Sequence, residues 1–410
     1  MARSTVFRYK GKQQDPQQIG NNLKVDAVLT GTMDQQQDHL VINAELVKVA
    51  DGSQIWGQQF SRNLSDLVAV QSEISSQIAD QLKVRLTGEQ KKQLAKPATE
   101  NSEAYRLYLQ GRYQWNKRSK EGFLKAIEYF NQAIEKDPTY ALAYSGLAEV
   151  YGTDSSPFST DVKIARGKAA ALKALELNPN LAEAENSLGA AYWTEWNWDA
   201  TQKAMKRAIE LNPNYPTAHQ WYGEFLAQCG KFEQARNELK RARELDPLSI
   251  VIISSSGLLE FLARNYAKAE EWQRRALDMD PNFPIAREGF MQSLEQQHKI
   301  EELFRYIENA NPDEQTRKDV AEARQAYKEG GEKAALQLKL KFVLARDTDP
   351  FDIAVAYAQV NENDKAIDYL QKAFASRDSQ VQIINVDPRF DNVRNDPRFQ
   401  EMVRKLNLPK

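Results

Sequence analysis

A single cysteine, Cys229, stands among 410 residues, and a lone thiol excludes an intramolecular disulfide framework. The three histidines, His39, His219 and His298, lie far apart, and none is spaced with acidic residues or the cysteine as metal ligands are. No metal or cofactor is expected. No apolar run reaches the ~18 residues of a membrane span, and the opening stretch MARSTVFRYKGK carries no apolar core of the signal-peptide kind. As written, the chain reads as cytoplasmic, or as extracytoplasmic if it is one piece of a longer membrane protein. An excess of one charge is missing too. Lys and Arg number 55 against 57 Asp and Glu, and residues 1–96 carry 12 basic and 10 acidic side chains, so a nucleic-acid partner is not expected. No GxxxxGK[ST] loop, GxSxG elbow, kinase signature or dinucleotide fingerprint occurs. The chain reads as non-enzymatic, with no catalytic residues assigned.

What is present is a repeat. Asn212-Pro213, Asp246-Pro247 and Asp280-Pro281 place their prolines at one constant interval, and Pro179 stands the same interval before Pro213. A period of this length, about 34 residues, fixes an architecture before any local motif does. Within Thr217–Pro247 the small and apolar residues run Tyr222-Gly223, Leu226, Gly230, Phe232, Ala235, Leu239 and Ala242. Steps of three and four describe two short amphipathic helices, one on each side of Gly230. Gly223 and Ala235 sit where larger side chains would hold the two helices apart. The residue before each proline is disfavoured in the α region, so Asp-Pro closes the second helix.

This unit resembles the tetratricopeptide repeat (TPR), whose bulky-Gly, aromatic, Ala, aromatic, Ala and Pro pattern recurs at that same interval. The resemblance implies stacked helix pairs in a right-handed superhelix, with the first helix of each pair lining a concave face that binds extended peptides or partner helices. The array expected over residues 97–385 holds about eight pairs. The first spans Ala104 to Asp137-Pro138. The second closes at Asn178-Pro179, its excess of seven residues falling in the Ser/Pro-rich stretch Thr153–Thr160, a surface insertion of low thermodynamic cost. After Pro281 the pattern weakens: Gly289-Phe290 and Asn311-Pro312 mark a shortened unit, and Val320–Leu344 reads as a degenerate pair around Gly330-Gly331. Phe351–Phe374 recovers it. Residues 386–410 repeat Asp387-Pro388-Arg389-Phe390 as Asp396-Pro397-Arg398-Phe399. Here Phe390 and Phe399 are expected to cap the uncovered face of the last repeat.

Residues 1–96 follow another logic. A strand is expected over Thr5–Tyr9, then a helix from about Asp15 to Leu23 with Asp15 as N-cap and Pro16 at its first position. Strands follow over Ala27–Met33, Leu40–Val47 and Gln54–Phe60, with Asp51-Gly52 as a hairpin signal, and a helix over Leu64–Leu86 closes the unit. The stretches MARSTVFRYKGK, DAVLTGTM, ADGSQIWGQQFSR and LVAVQSEISSQIADQL, in this order, resemble the TolB amino-terminal-type domain found ahead of TPR arrays in bacterial signalling proteins. That domain ordinarily opens with one more strand and helix. The resemblance therefore implies an incomplete α/β domain with a mixed sheet over 1–96, ahead of an all-α superhelix.

In the TPR family the second, fifth, ninth and twelfth residues of each first helix face the groove. Carried onto the regular units, the resemblance implies a peptide-binding wall that includes Asn186, Trp193, Gln220, Glu224, Leu258 and Phe261. None of these three units supplies the cation that a clamp for an acidic C-terminus needs. Trp193, Trp196 and Trp198 cluster near one turn and read as packing rather than a ligand cage, and Cys229 reads as a packed small residue. The functional expectation is a protein-binding scaffold in bacterial signalling. The alternative is the regulatory C-terminal part of a larger kinase, nucleotide cyclase or winged-helix regulator. The sequence does not fix an oligomeric state.

Overall fold

The computed structural model describes Tyr9, Gly11 and residues 14–63, 66–81, 98–153, 157–310, 312–346 and 348–409. Residues 5–8 of the strand expected over 5–9, both ends of the helix expected over 64–86 and most of the linker lie outside these residues. Helix α1 (Pro16–Leu23) starts as its sequence dictates, with the Asp15 carboxylate accepting from the Gln17 amide at 3.1 Å and proline at the first position. Strands β1 (Ala27–Gln36), β2 (His39–Lys48) and β3 (Gln54–Asn63) form a sheet in the order β1-β2-β3, antiparallel throughout. A mixed sheet follows from the sequence reading; every pairing among the described residues is antiparallel. Asp51 shapes the β2–β3 turn by accepting from the Ser53 amide at 3.1 Å and the Ser53 hydroxyl at 2.6 Å. One face of the sheet is closed by Leu40, Leu46, Phe60 and, from α2 (Leu67–Gln81), Val70.

Helices follow for the rest of the chain: α3 (Ser102–Trp115), α4 (Lys120–Lys136), α5 (Ala141–Gly152), α6 (Thr160–Leu177), α7 (Ala182–Thr194), α8 (Trp198–Leu211), α9 (Pro216–Gln228), α10 (Phe232–Leu245), α11 (Ile250–Leu262), α12 (Tyr266–Met279), α13 (Pro284–Gln296), α14 (Ile300–Asn309), α15 (Glu314–Leu344), α16 (Pro350–Gln359), α17 (Asn363–Ala375) and α18 (Pro397–Leu406). They fall into two compact units. The first holds the sheet and the helices through Glu195, with 210–212; the second holds 196–209 and everything from Pro213.

Three local devices enforce the helix-pair pattern. Before the prolines, Asp137, Asn178, Asp246 and Asp280 adopt extended backbone with φ −144°, −143°, −139° and −150°, as the pre-proline clash requires. Asp137, Asn178 and Asp280 also turn the chain by accepting from the amide two residues on. Between the helices, Trp196, Gly230, Arg264 and His298, each one repeat after the last, hold φ of 64°, 75°, 64° and 57°. This is the left-handed region that glycine enters without strain, and only Gly230 is a glycine.

The third device is a knob. In the first unit the Phe130 ring, with none of its surface exposed, fills the space left by two glycines. A Cβ on Gly111 of α3 would lie 2.5 Å from the ring and one on Gly146 of α5 would lie 2.6 Å from it. In the second unit Gln273 of α12 takes the same place between Gly257 of α11 and Gly289 of α13. Its amide is satisfied there: the Ser254 hydroxyl donates to Oε1 at 2.8 Å, and Nε2 donates to the Ser254 carbonyl at 3.1 Å.

Beyond α13 the second unit departs from regularity. Helix α14 has 10 residues, and α15 breaks at Gly331 (φ 69°, ψ −164°) into two arms. The twin tail motifs fold alike: Asp387 and Asp396 cap the amides of Arg389 (2.9 Å) and Arg398 (2.8 Å) and hold their guanidinium groups at 2.7 and 2.8 Å. Phe390 and Phe399 are fully buried, with Phe390 edge-on to Phe351 at 5.5 Å. The tail also reaches earlier turns of its own unit, where Trp198 donates to the Leu406 carbonyl at 2.5 Å and Arg264 forks onto Asp391 at 3.1 and 2.6 Å.

Candidate functional site

In the first unit, Asn186 and Trp193 lie on α7. Asn186 is fully buried and both ends of its amide lack a partner among the described residues, while Trp193 is half-buried. A charged pair joins α3 and α5. Arg112 pairs with Glu149, whose side chain is 1% exposed, and the Arg112 guanidinium stacks 4.5 Å over Trp115. The Trp115 indole donates to the Thr153 hydroxyl at 3.2 Å. Burial pushes the nearby Glu183 carboxyl above its ordinary range.

The other four expected residues lie in the second unit, on α9 and α11. The Gln220 amide donates to Glu224 Oε1 at 3.1 Å and to the Ser255 hydroxyl at 3.3 Å, and Ser255 in turn donates to Glu224. This triad ties the two first helices together, leaving Gln220 buried and Glu224 half-exposed. Leu258 is exposed at 38%, whereas Phe261 retains 3% of its surface and packs 5.8 Å from the Tyr266 ring. Glu224 and Leu258 thus present surface, while Gln220 and Phe261 support it from beneath. The same helices carry a buried acid, Glu260. Burial pushes its carboxyl up, but hydrogen bonds from Arg236, Asn265 and Lys268 prevail and hold it at about 2.

One further repeat leads from Ser254, Leu258 and Phe261 to Glu288, Gln292 and Glu295 on α13. All three line a cavity of about 450 Å³ formed by α13, α14, both arms of α15, α16 and Arg389. Its wall is largely apolar, from Ile300, Leu303, Phe304, Val320 and Leu336. Among its charges, Glu295 is tied to Lys339 at 2.6 Å, Asp319 to Arg346, and Glu332 to His298 at 2.8 Å. Arg389 is committed to Asp387. Glu288 and Asp352 face that shared guanidinium with part of each side chain still exposed to solvent, and Glu288 accepts from Gln292 at 2.8 Å; partial desolvation raises both carboxyls, and the charge of Arg389 only partly offsets it. The Gln359 amide donates to Glu295 at 3.0 Å, and its Oε1 is shut away from water with no partner among the described residues. The sequence reading missed this site, for in it Gly289 only marks, with Phe290, a shortened unit. It serves instead to admit Gln273 of the pair before, and it stands two residues ahead of the position that Gly257 occupies.

Residues 192–251 match the family model described as Tetratricopeptide repeat. Over that stretch, from the end of α7 into α11, the helix pairs match tetratricopeptide repeats. Residues 12–65 match the model described as FlgO protein, so the TolB resemblance has a different family model over the same stretch. A curated relative, the "Putative adenylate cyclase 3" of Rhizobium meliloti, is 29% identical over 154 residues, 38% of this chain and 26% of that protein. Solved structures similar to the chain include yeast Tom70 (17% identity, TM-score 0.42, 74% of this chain and 68% of that one). PilF of Pseudomonas aeruginosa is another (17% identity, TM-score 0.37, 66% and 98%).

Three other residues are accounted for by packing. Trp196 stacks on Trp198 at 6.4 Å and meets Phe374 edge-on at 5.2 Å, so both serve as packing for the second unit. Burial pushes the Cys229 thiol up to about 11, which leaves it protonated and unreactive near neutral pH. Among the described residues no helix is long and apolar enough to cross a membrane.

Proposed function

We propose that this chain is a non-enzymatic scaffold for protein partners, holding an extended peptide along the first-helix face of α9 and α11. The observation that carries the reading is the pairing of a fixed polar triad with an apolar residue left open. Gln220, Glu224 and Ser255 are mutually hydrogen-bonded, and beside them Leu258 stays exposed. Side chains already locked by their neighbours lose little entropy when a peptide backbone bonds to them, and an exposed leucine offers an apolar anchor point. Glu224 and the missing cation on this face disfavour an acidic C-terminus as ligand. The test is a photoreactive phenylalanine at Leu258, with the exposed Lys240 on α10 as control. A discrete adduct at 258 and none at 240 is expected; equal labelling at both positions contradicts the reading.

A second reading draws on the putative adenylate cyclase of R. meliloti, whose aligned stretch covers 26% of that protein. We infer that the TPR pairs and the domain over 1–96, read as TolB amino-terminal-like, form the regulatory part of a bacterial signalling protein with its effector elsewhere in a longer polypeptide. Translating the genomic DNA upstream of Met1 in frame tests it. An open frame encoding an effector domain supports the reading, and a stop codon immediately upstream opposes it.

A further inference from the structure

We propose that the cavity between α13 and α16 binds a small organic cation, a molecule with an apolar body and one protonated nitrogen. The inference stands apart from the peptide reading, which concerns α9 and α11. Three features of the cavity point to this ligand class.

The first is form. A regular helix pair would fill the space beside α13, but α14 is short and α15 folds back on itself at Gly331. These two departures leave a recess of about 450 Å³ that stays open to solvent on one side, within the ~300–1,000 Å³ of small-molecule sites. The second is its lining, with Leu303, Phe304 and Val320 offering area to an apolar body. The third is unbalanced charge. The cations of the wall are already engaged: Lys339 with Glu295, Arg346 with Asp319 and Arg389 with Asp387. Glu288, which accepts from Gln292 at 2.8 Å, and Asp352, which accepts from Gln380, both lie in the field of Arg389 but form no ion pair among the described residues. The lining thus carries five carboxylates (Glu288, Glu295, Asp319, Glu332 and Asp352) against three cations (Lys339, Arg346 and Arg389), and the raised proton affinity of Glu288 and Asp352 accords with that excess. A cation relieves it, whereas an anion would add to it.

Calorimetric titration of the full chain with n-octylamine, n-octanol and octanoate tests the proposal. Octylamine should bind at one saturable site, octanoate should not bind, and octanol should bind more weakly than the amine. The isosteric pair Glu288→Gln and Asp352→Asn, made together, should weaken octylamine by about tenfold or more while leaving the melting temperature within a few degrees. Octanoate binding as well as octylamine, octylamine indifferent to the double substitution, or no probe binding at millimolar concentration each overturns the proposal. An acetylated, amidated Leu-Arg-Leu peptide is the remaining arm. Binding of that peptide without octylamine would make the cavity a socket for a basic side chain and would also overturn it. Loss of peptide capture at Leu258 with octylamine binding intact would leave this proposal standing and remove only the groove reading.

Discussion

Substituting Gly146 by alanine in α5 examines the packing rule on which the helix pairs rest. Alone, Gly→Ala inside a helix gains up to about 1 kcal/mol from backbone entropy. Here the added methyl would lie 2.6 Å from the Phe130 ring, against an optimum of about 3.5–4.0 Å between carbons. The ring has nowhere to retreat, because a Cβ at Gly111 would already sit 2.5 Å from its other side. Overpacking of this kind costs roughly 1–3 kcal/mol, so the net effect should be a loss on the order of 1 kcal/mol. Phe130→Ala should cost about 3–5 kcal/mol on its own. In that background the clash is gone, and Gly146→Ala should become stabilising. The two changes should therefore fail to add by about 1–3 kcal/mol. Urea unfolding of the full chain, followed by far-UV circular dichroism, measures the cycle, with Phe130→Leu as the background if Phe130→Ala does not fold. A stabilising Gly146→Ala in the native background, or strict additivity, would refute the knob.

Three further outcomes follow from the same geometry. The Glu260 and Glu270 carboxyls are held at about 2 in the folded chain against 4.5 for the free side chain. Their stabilisation is fully present above pH 4.5 and is lost as the pH falls from there toward 2. Glu260 accounts for on the order of 2–3 kcal/mol of it, and Glu260→Gln should flatten the acid limb of a melting-temperature profile. Gly230→Ala, at φ 75°, should cost about 1–2 kcal/mol, measured as a shift in urea midpoint; no shift would mean the turn relaxes freely. In the tail, Phe399→Ala should cost about 3–5 kcal/mol. Asp391→Ala breaks a pair whose side chains are 40% and 45% exposed and should cost within about 1 kcal/mol; comparable losses in calorimetry would contradict the assigned cap.

The repeat register was legible because proline and the small residues of the close contacts are chemically distinctive, and it placed α7 through α13 correctly in type and order. Trp196, Arg264 and His298 hid their turns, since nothing in a tryptophan, arginine or histidine announces a left-handed backbone; only Gly230 did. Gly289 marked a shortened unit and no more. A glycine signals close approach but does not say which neighbour approaches, and here it is Gln273 from the preceding pair. The burial of Asn186 and Phe261 depends on how successive first helices close on one another, a tertiary property that position within a repeat does not encode. The cavity needed the break at Gly331, which the paired glycines marked, together with the shortness of α14.

The most direct measurement of the scaffold claim is a selection of random peptides on the immobilised full chain, with the selected peptides then titrated against Leu258→Asp. The account predicts an enriched sequence with an apolar anchor whose binding weakens about tenfold or more in a variant of unchanged melting temperature. Failure to enrich any sequence, or peptides that bind Leu258→Asp as tightly as the native chain, would contradict it.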